Sequence, residues 1–341
     1  MSCAQLTASI HIRPIAAFLT SHGEPIDSLL EKANLPRTCI ENSKTLVPTA
    51  SLWRFRDLAA EHTGLPNLTM QAMRLRELSE LGDVGRSLLG APTLRRMIVD
   101  FQRLSRAESS TTVIGLRPWR GDHEFFFNRF MLKQHQGEWQ AELYLLMWML
   151  KMVRTVNPSW TPTEIWCAAD ETPEHLQAIE SLATRPRFNQ GCMGFPISAA
   201  MLARSNCSDG SASWSPKPGD SILCSTSPAL SVAGAVGQMI SAYADDRWLT
   251  IDQASEALGT SSRTLQRQLA ADGTSYSETL EEIRSEKASE LLRSTDASLF
   301  TIAEHLGYSN LSNFNRAFLR WAAVSPREFR RQGRESASER R

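Results

Sequence analysis

Near its carboxyl end the chain repeats itself. Residues 255–259 read SEALG and residues 303–307 read AEHLG, an offset of 48, while Leu265 and Phe314, and Arg267 and Arg316, each stand 49 apart. A self-similarity of this period means one supersecondary unit built twice, which restricts the segment to very few architectures. The first copy says what the unit is. Thr250 and Gln253 have capping-box spacing, Ile251, Ala254 and Leu258 share one helical face, and Gly259 stops the run. Ser261 can cap the next run, SSRTLQRQLAADG, which Gly273 ends. Two short helices with glycine in the turn predict a helix-turn-helix. The two copies are joined by a single helical connector, about residues 275–293, SYSETLEEIRSEKASELLR.

The second helix of the second copy is two-faced. At 100° per residue Ser312, Asn313, Asn315, Arg316, Leu319 and Arg320 fall within an arc of about 160°, and Leu311, Phe314, Ala317, Phe318, Trp321 and Ala322 take the remainder. A merely solvated face usually carries Glu and Lys at helix-pair spacing. Here no acid occurs between Glu304 and Glu328. Arg and Asn are the side chains whose paired donors and acceptors match guanine and adenine edges in the major groove. The first copy makes a similar choice, with Arg263, Gln266 and Arg267 opposite Leu265 and Leu269.

Charge placement agrees. The whole chain has 37 basic and 37 acidic residues, and residues 245–341 hold 14 basic against 15 acidic. That balance does not suit a protein that coats DNA without selection. Within 305–341 there are 8 basic and 3 acidic residues, whereas the connector gathers Glu278, Glu281, Glu282, Glu286 and Glu290. A segment with one positive end predicts a reader of particular sites, positioned by phosphates and made specific by base edges.

The remaining two thirds reads as mixed α and β. At 341 residues with 42% hydrophobic and 22% charged, the chain is globular and long enough for two or three domains. Helices are expected at IAAFLTSHG (15–23) and at TASLWRFRDLAAEHTG (49–64), opening at Thr49 and closed by Gly64. TTVIGLRP (111–118) and EFFFNRFML (124–132) read as paired strands about Gly121-Asp122. QAELYLLMWMLKMVRTV (140–156) is apolar almost all round, a helix buried on several sides, in the core in preference to a dimer interface. SNCSDGSASWSPKPGD from 205 is a loop at the edge of the first domain, followed by a helical stretch at about 229–244.

No apolar run reaches the roughly 18–20 residues of a membrane span, and the amino terminus has no positive cluster before an apolar block, so the expectation is a cytoplasmic protein with no membrane contact. Cys3, Cys39, Cys167, Cys192, Cys207 and Cys224 form no CxxC pair, as expected of reduced thiols.

Enzyme signatures are lacking. There is no GxGxxG, GxxxxGK[ST] or GxSxG, and Gly82 and Gly85 in LGDVG read as a turn. The histidines show no HxxxH or HxH pairing, so neither a metal site nor a cofactor is expected. Asp170 and Glu171 read as a helix-start cluster before Pro173. Trp53, Trp119, Trp139, Trp148, Trp160, Trp166 and Trp214 all precede residue 244, and each is either core or the wall of a small-molecule pocket.

LGTSSRTLQRQL (258–269), TIAEHLGYSNLSNFNRAFLRW (301–321) and the closing SPREFR (325–330) resemble the carboxyl-terminal DNA-binding domain of AraC/XylS-type transcriptional regulators. Fainter likenesses in LLEKANLP (29–36), TGLPNL (63–68), LGDVGRSLLGAPTL (81–94) and GFPISAAML (194–202) point to the branch with an arabinose-binding-like effector domain. The resemblance implies a ligand-responsive activator that contacts double-stranded DNA, a small-molecule effector and RNA polymerase, with an effector domain that often dimerises. It implies Ser262, Arg263, Gln266 and Arg267 as contacts of the first reading helix. For the second it implies Asn310, Leu311, Ser312, Asn313, Asn315, Arg316 and Arg320, with Leu311 reading a thymine methyl or nothing.

Two departures stand out. Family members have Gly two residues before the SP pair, where this chain has Ala323, strained if the backbone there has positive φ. Leu269 stands where many have Phe.

The expected architecture is an α+β effector domain, mainly helical with a small sheet, over 1–225; a helical linker over 226–247; an all-α domain of two helix-turn-helix units joined by a connector helix over 248–332; and a flexible tail over 333–341. The alternative is an enzyme or repair domain targeted to DNA by that tail domain. Its methyl-acceptor form would need clustered cysteines on zinc, which the scattered thiols do not supply.

Overall fold

The computed structural model describes residues 5–42, 45–131, 138–182, 184–206 and 231–338, with the side chains of all of these except 107 and 334–338. The loop expected from 205 lies outside the described residues from 207 on, as do Trp214, Cys207, Cys224 and Cys3. The chain divides into two compact units between Pro228 and Ala229.

In the first unit, β1 (Leu6–Ala8) and β2 (Leu46–Pro48) form an antiparallel pair. A second sheet contains β3 (Thr112–Pro118), β4 (His123–Phe130), β5 (Glu164–Trp166), β6 (Arg185–Arg187) and β7 (Met193–Ser198) in the order β3-β4-β7-β5-β6. The expected hairpin is present. β3 and β4 pair antiparallel with Leu116 opposite Phe126, and Gly121 takes φ 63° in the turn. β5 and the edge strand β6 run parallel to each other.

The helix Glu138–Val156 is the scaffold of this unit, with thirteen of its residues buried. It belongs to the core, as its all-round apolarity implied. Its buried polar groups find partners: Gln140 Oε1 accepts from Thr69 N and Oγ1, its Nε2 donates to Pro66 O, and Glu142 accepts from the amides of Ala168 and Ala169.

The helix Thr49–Thr63 opens at Thr49 and ends at left-handed Gly64, both as expected. Pro48 precedes the first turn without a side-chain cap, and Thr49 Oγ1 turns instead to Thr7 Oγ1 at 2.7 Å. The helix Pro173–Glu180 starts beside Asp170-Glu171, capped by Thr172. The reading of Gly82 and Gly85 as one turn needs correction. Gly82 turns the chain at φ 63°, whereas Gly85 lies inside the helix Gly82–Leu89, where a Cβ would stand 1.7 Å from Leu78 O. Cys39, Cys167 and Cys192 are buried thiols that form no disulfide among the described residues.

The second unit is all helix. The segment expected as a linker contains the helix Val232–Tyr243, which buries Ala235, Val236, Met239, Ile240 and Tyr243 and belongs to this unit. Then come Ile251–Ala257, Ser262–Ala271, the connector Tyr276–Ser294, Leu299–His305, Leu311–Ala322 and Pro326–Ser338. The tail expected from 333 continues the last helix as far as Ser338. Ala288, Leu292, Ile302, Leu306, Phe314 and Phe318 make one core cluster, against which Phe329 closes at 5.3 Å from Phe318. Among the described residues no helix is long and apolar enough to cross a membrane.

Candidate nucleic-acid interface

Each half of the doubled motif is a short helix followed by an outward one. In the first, the predicted capping box is made: Thr250 Oγ1 accepts from Gln253 N and Gln253 Oε1 accepts from Thr250 N. Ser261 Oγ accepts from Thr264 N at 3.2 Å and so starts the helix Ser262–Ala271, as its sequence position implied. Leu265 and Leu269 turn inward and are buried. Arg263, Gln266 and Arg267 are exposed, and among the described residues none of the three has a hydrogen-bond or ionic partner. Ser262 differs from them. Its Oγ donates to Asp252 Oδ1 and lies 3.0 Å from Ser255 Oγ, so it fastens the outward helix to the helix before it.

The second outward helix, Leu311–Ala322, is capped by Asn310, whose Oδ1 accepts from Asn313 N at 2.8 Å. Phe314, Ala317 and Phe318 face inward, and Ser312, Arg316, Leu319 and Arg320 face out. This face is tied together more than the first. Asn313 Nδ2 donates to Ser309 Oγ, and Arg316 Nη2 donates to Asn313 Oδ1 at 2.6 Å. Arg320 Nη2 reaches back to both carboxylate oxygens of Glu281 on the connector, each at 2.8 Å. Leu311 is half-buried and packs against the core cluster, which leaves it little to present to a partner. Asn315 is half-buried with Oδ1 unpartnered.

Several residues that hold this arrangement carry no mark in the sequence pattern. Trp248 Nε1 donates to His305 O at 2.7 Å, which fixes the start of the motif against its second half. The Arg284 guanidinium lies 5.0 Å above the Trp248 ring and 5.3 Å above Tyr308. Gly307 sits beneath this stack with φ 75°, where a Cβ would come within 3.1 Å of Trp248 and 3.2 Å of Arg284. Glycine is required there twice over, by backbone conformation and by space.

Electrostatically the two outward faces carry Arg263, Arg267, Arg316 and Arg320, and neither outward helix contains an acid, the first being followed by Asp272 at its C-cap. Guanidinium and amide groups on a helix exposed along one side can donate to phosphates and to paired acceptors on base edges.

Parts of the chain match known proteins. A family model described as a helix-turn-helix domain matches residues 254–332. A second, described as the arabinose-binding domain of AraC transcription regulator, N-term, matches residues 23–206. The ornithine utilization regulator of Pseudomonas aeruginosa is 39% identical over 80 residues, 24% of this chain and 24% of its own length. An uncharacterized HTH-type transcriptional regulator of Mycobacterium bovis is 44% identical over 71 residues, 21% of each chain. The matched stretch thus spans less than a quarter of these curated relatives. The crystal structure of transcriptional regulator CdpR from Pseudomonas aeruginosa is 20% identical and covers 94% of this chain and 98% of its own, with a TM-score of 0.44.

Proposed function

The chain belongs to the AraC transcription regulators, whose arabinose-binding domain model covers its residues 23–206, and from that membership we propose a sequence-specific DNA-binding regulator that answers to a small effector. In this reading the first unit holds the effector and supports a homodimer. The second unit lays the helices Ser262–Ala271 and Leu311–Ala322 into successive major-groove segments. Arg263, Gln266, Arg267, Ser312, Asn315 and Arg316 supply base and phosphate contacts. Asn310, Asn313 and Ser262 hold the helices at the right angle, and Arg320 meets a phosphate once released from Glu281. When the effector binds, the protein activates transcription by contacting RNA polymerase.

The observation that carries this reading is the free Arg263, Gln266 and Arg267 face, exposed on a capped helix and repeated 49 residues later as an Asn and Arg face. Arg267→Ala and Arg316→Ala variants, titrated against the cognate site found by footprinting and against random DNA, test it. Each loses about 5- to 150-fold on the cognate site, the 1–3 kcal/mol of one base contact. On random DNA each loses only the small share of one phosphate. Equal losses on both DNAs would sink the base-reading role.

A further inference from the structure

The first unit contains a cavity of about 50 Å³ between the helix Thr49–Thr63, the scaffold helix Glu138–Val156 and the two-stranded sheet, and Arg56 stands in its wall. Arg56 is 2% exposed and is the one buried arginine or lysine among the described residues. Its Nη2 donates to His11 O at 3.0 Å, its Nε has no partner, and the guanidinium lies 4.0 Å above the Tyr144 ring. No carboxylate pairs with it among the described residues. The acid in the same wall, Glu108, is 3.4 Å from His11 Nε2, and His11 Nδ1 is 2.9 Å from the Tyr144 hydroxyl. Burial pushes the Arg56 guanidinium down to about 10, which still leaves it charged at neutral pH.

A buried cation without a counterion is unfavourable unless something else uses it. The remaining polar groups of the cavity are neutral hydroxyls: Thr7 Oγ1 lies 2.7 Å from Thr49 Oγ1 and 3.1 Å from Ser109 Oγ. Trp53, Phe101 and Trp148 close the apolar side. One fixed charge, hydroxyl donors and aromatic walls suit a planar monoanion with an apolar body. A phosphate dianion would face one cation and the carboxylate of Glu108, so it is disfavoured on charge.

We propose that the effector is a small organic acid whose carboxylate pairs with Arg56 while its body packs on Trp53, Phe101 and Trp148. The proposal rests on reading the first unit as a small-molecule sensor. It also accounts for a charge on the apolar face of the helix Thr49–Thr63, where Leu52, Trp53, Phe55, Ala59 and Ala60 are buried around Arg56.

The test uses the full chain with fragments that suit so small a void: sodium formate and acetate at saturating concentration, against formamide and acetamide in sodium chloride of equal ionic strength. The acids raise the melting temperature of wild type by about 2–4 °C and the amides leave it unchanged. Arg56→Met loses the acid-specific shift without melting lower than wild type when unliganded. Arg56→Lys keeps the charge and a smaller shift, and decides the matter together with wild type if Arg56→Met fails to fold. Equal shifts with acids and amides, no shift with acids, or a full acid response in Arg56→Met would overturn the proposal. DNA footprinting in parallel separates the two readings: a protected site without an acid shift removes only this one, and an acid shift without any protected site removes only the regulator.

Discussion

Ala323 ends the second outward helix with φ 57° and ψ 5°, a left-handed residue that is not glycine. The left-handed region brings Cβ against the carbonyl and costs about 1–2 kcal/mol for an ordinary residue. The position is nonetheless used, because Ala323 N donates to Leu319 O at 3.0 Å and closes the helix before Ser325 opens the next one. Ala323→Gly removes the strain and gives back part of it through the greater freedom of glycine in the unfolded chain. We expect a net gain of about 0.5–1 kcal/mol, read as a melting temperature of the second unit higher by about 2–5 °C. An unchanged or lower value would mean that the alanine methyl is packed well enough to offset the backbone. This strain was legible in the sequence only through the resemblance, whose pattern has Gly two residues before the SP pair where this chain has Ala323. Nothing local marked Asn34 and Asn189, which adopt φ 57° and 60°.

Elements formed by local signals were readable, and those fixed by distant partners were not. The β3-β4 hairpin, the scaffold helix and both helix-turn-helix units follow from alternation, apolarity and caps within a dozen residues. β5 and β6 are three residues each, and β6 reads Arg-Pro-Arg; their strand character comes from pairing with each other and from Trp166 opposite Gly194. Helical periodicity placed Arg316 and Arg320 on one face correctly. It could not show that Arg320 is held by Glu281, 39 residues away on another helix. Arg320 and Glu281 are both substantially exposed, so their pair contributes at most about 1 kcal/mol and breaking it leaves the fold intact. Its consequence is at the DNA. Glu281 competes with a phosphate for Arg320, so Glu281→Gln strengthens binding to cognate and random DNA alike by a few-fold. The slope of log affinity against log salt steepens by about 0.9, the increment of one more phosphate contact. A slope identical to wild type would show that Arg320 stays away from the backbone.

Taken whole, the chain has two units whose stabilities answer differently to pH. In the first unit Glu142 is 1% exposed at the centre of the scaffold helix. Burial raises its carboxyl to about 8, against the opposing pull of the Ala169 and Ala168 amides that it accepts from. Its folded value lies above its unfolded one, so the native state binds the extra proton between about pH 4.5 and 8. Stability from this group is complete below about 4.5, declines as pH rises and levels off above about 8, with a slope of about 1.4 kcal/mol per pH unit at most. In the second unit the shifted acids are the exposed Glu278 and the half-buried Glu328, lowered by hydrogen bonds from Ser275 and from Arg331 respectively, so their contribution runs the other way and is confined to acid pH. Melting the full chain from pH 6 to pH 9 should therefore move one transition downward and leave the other in place. Glu142→Gln, which keeps an oxygen for the two amides and cannot ionise, should flatten the moving transition. If both transitions fall together, or if the Gln variant falls as wild type does, the buried carboxyl of the scaffold helix does not govern the pH response of the first unit.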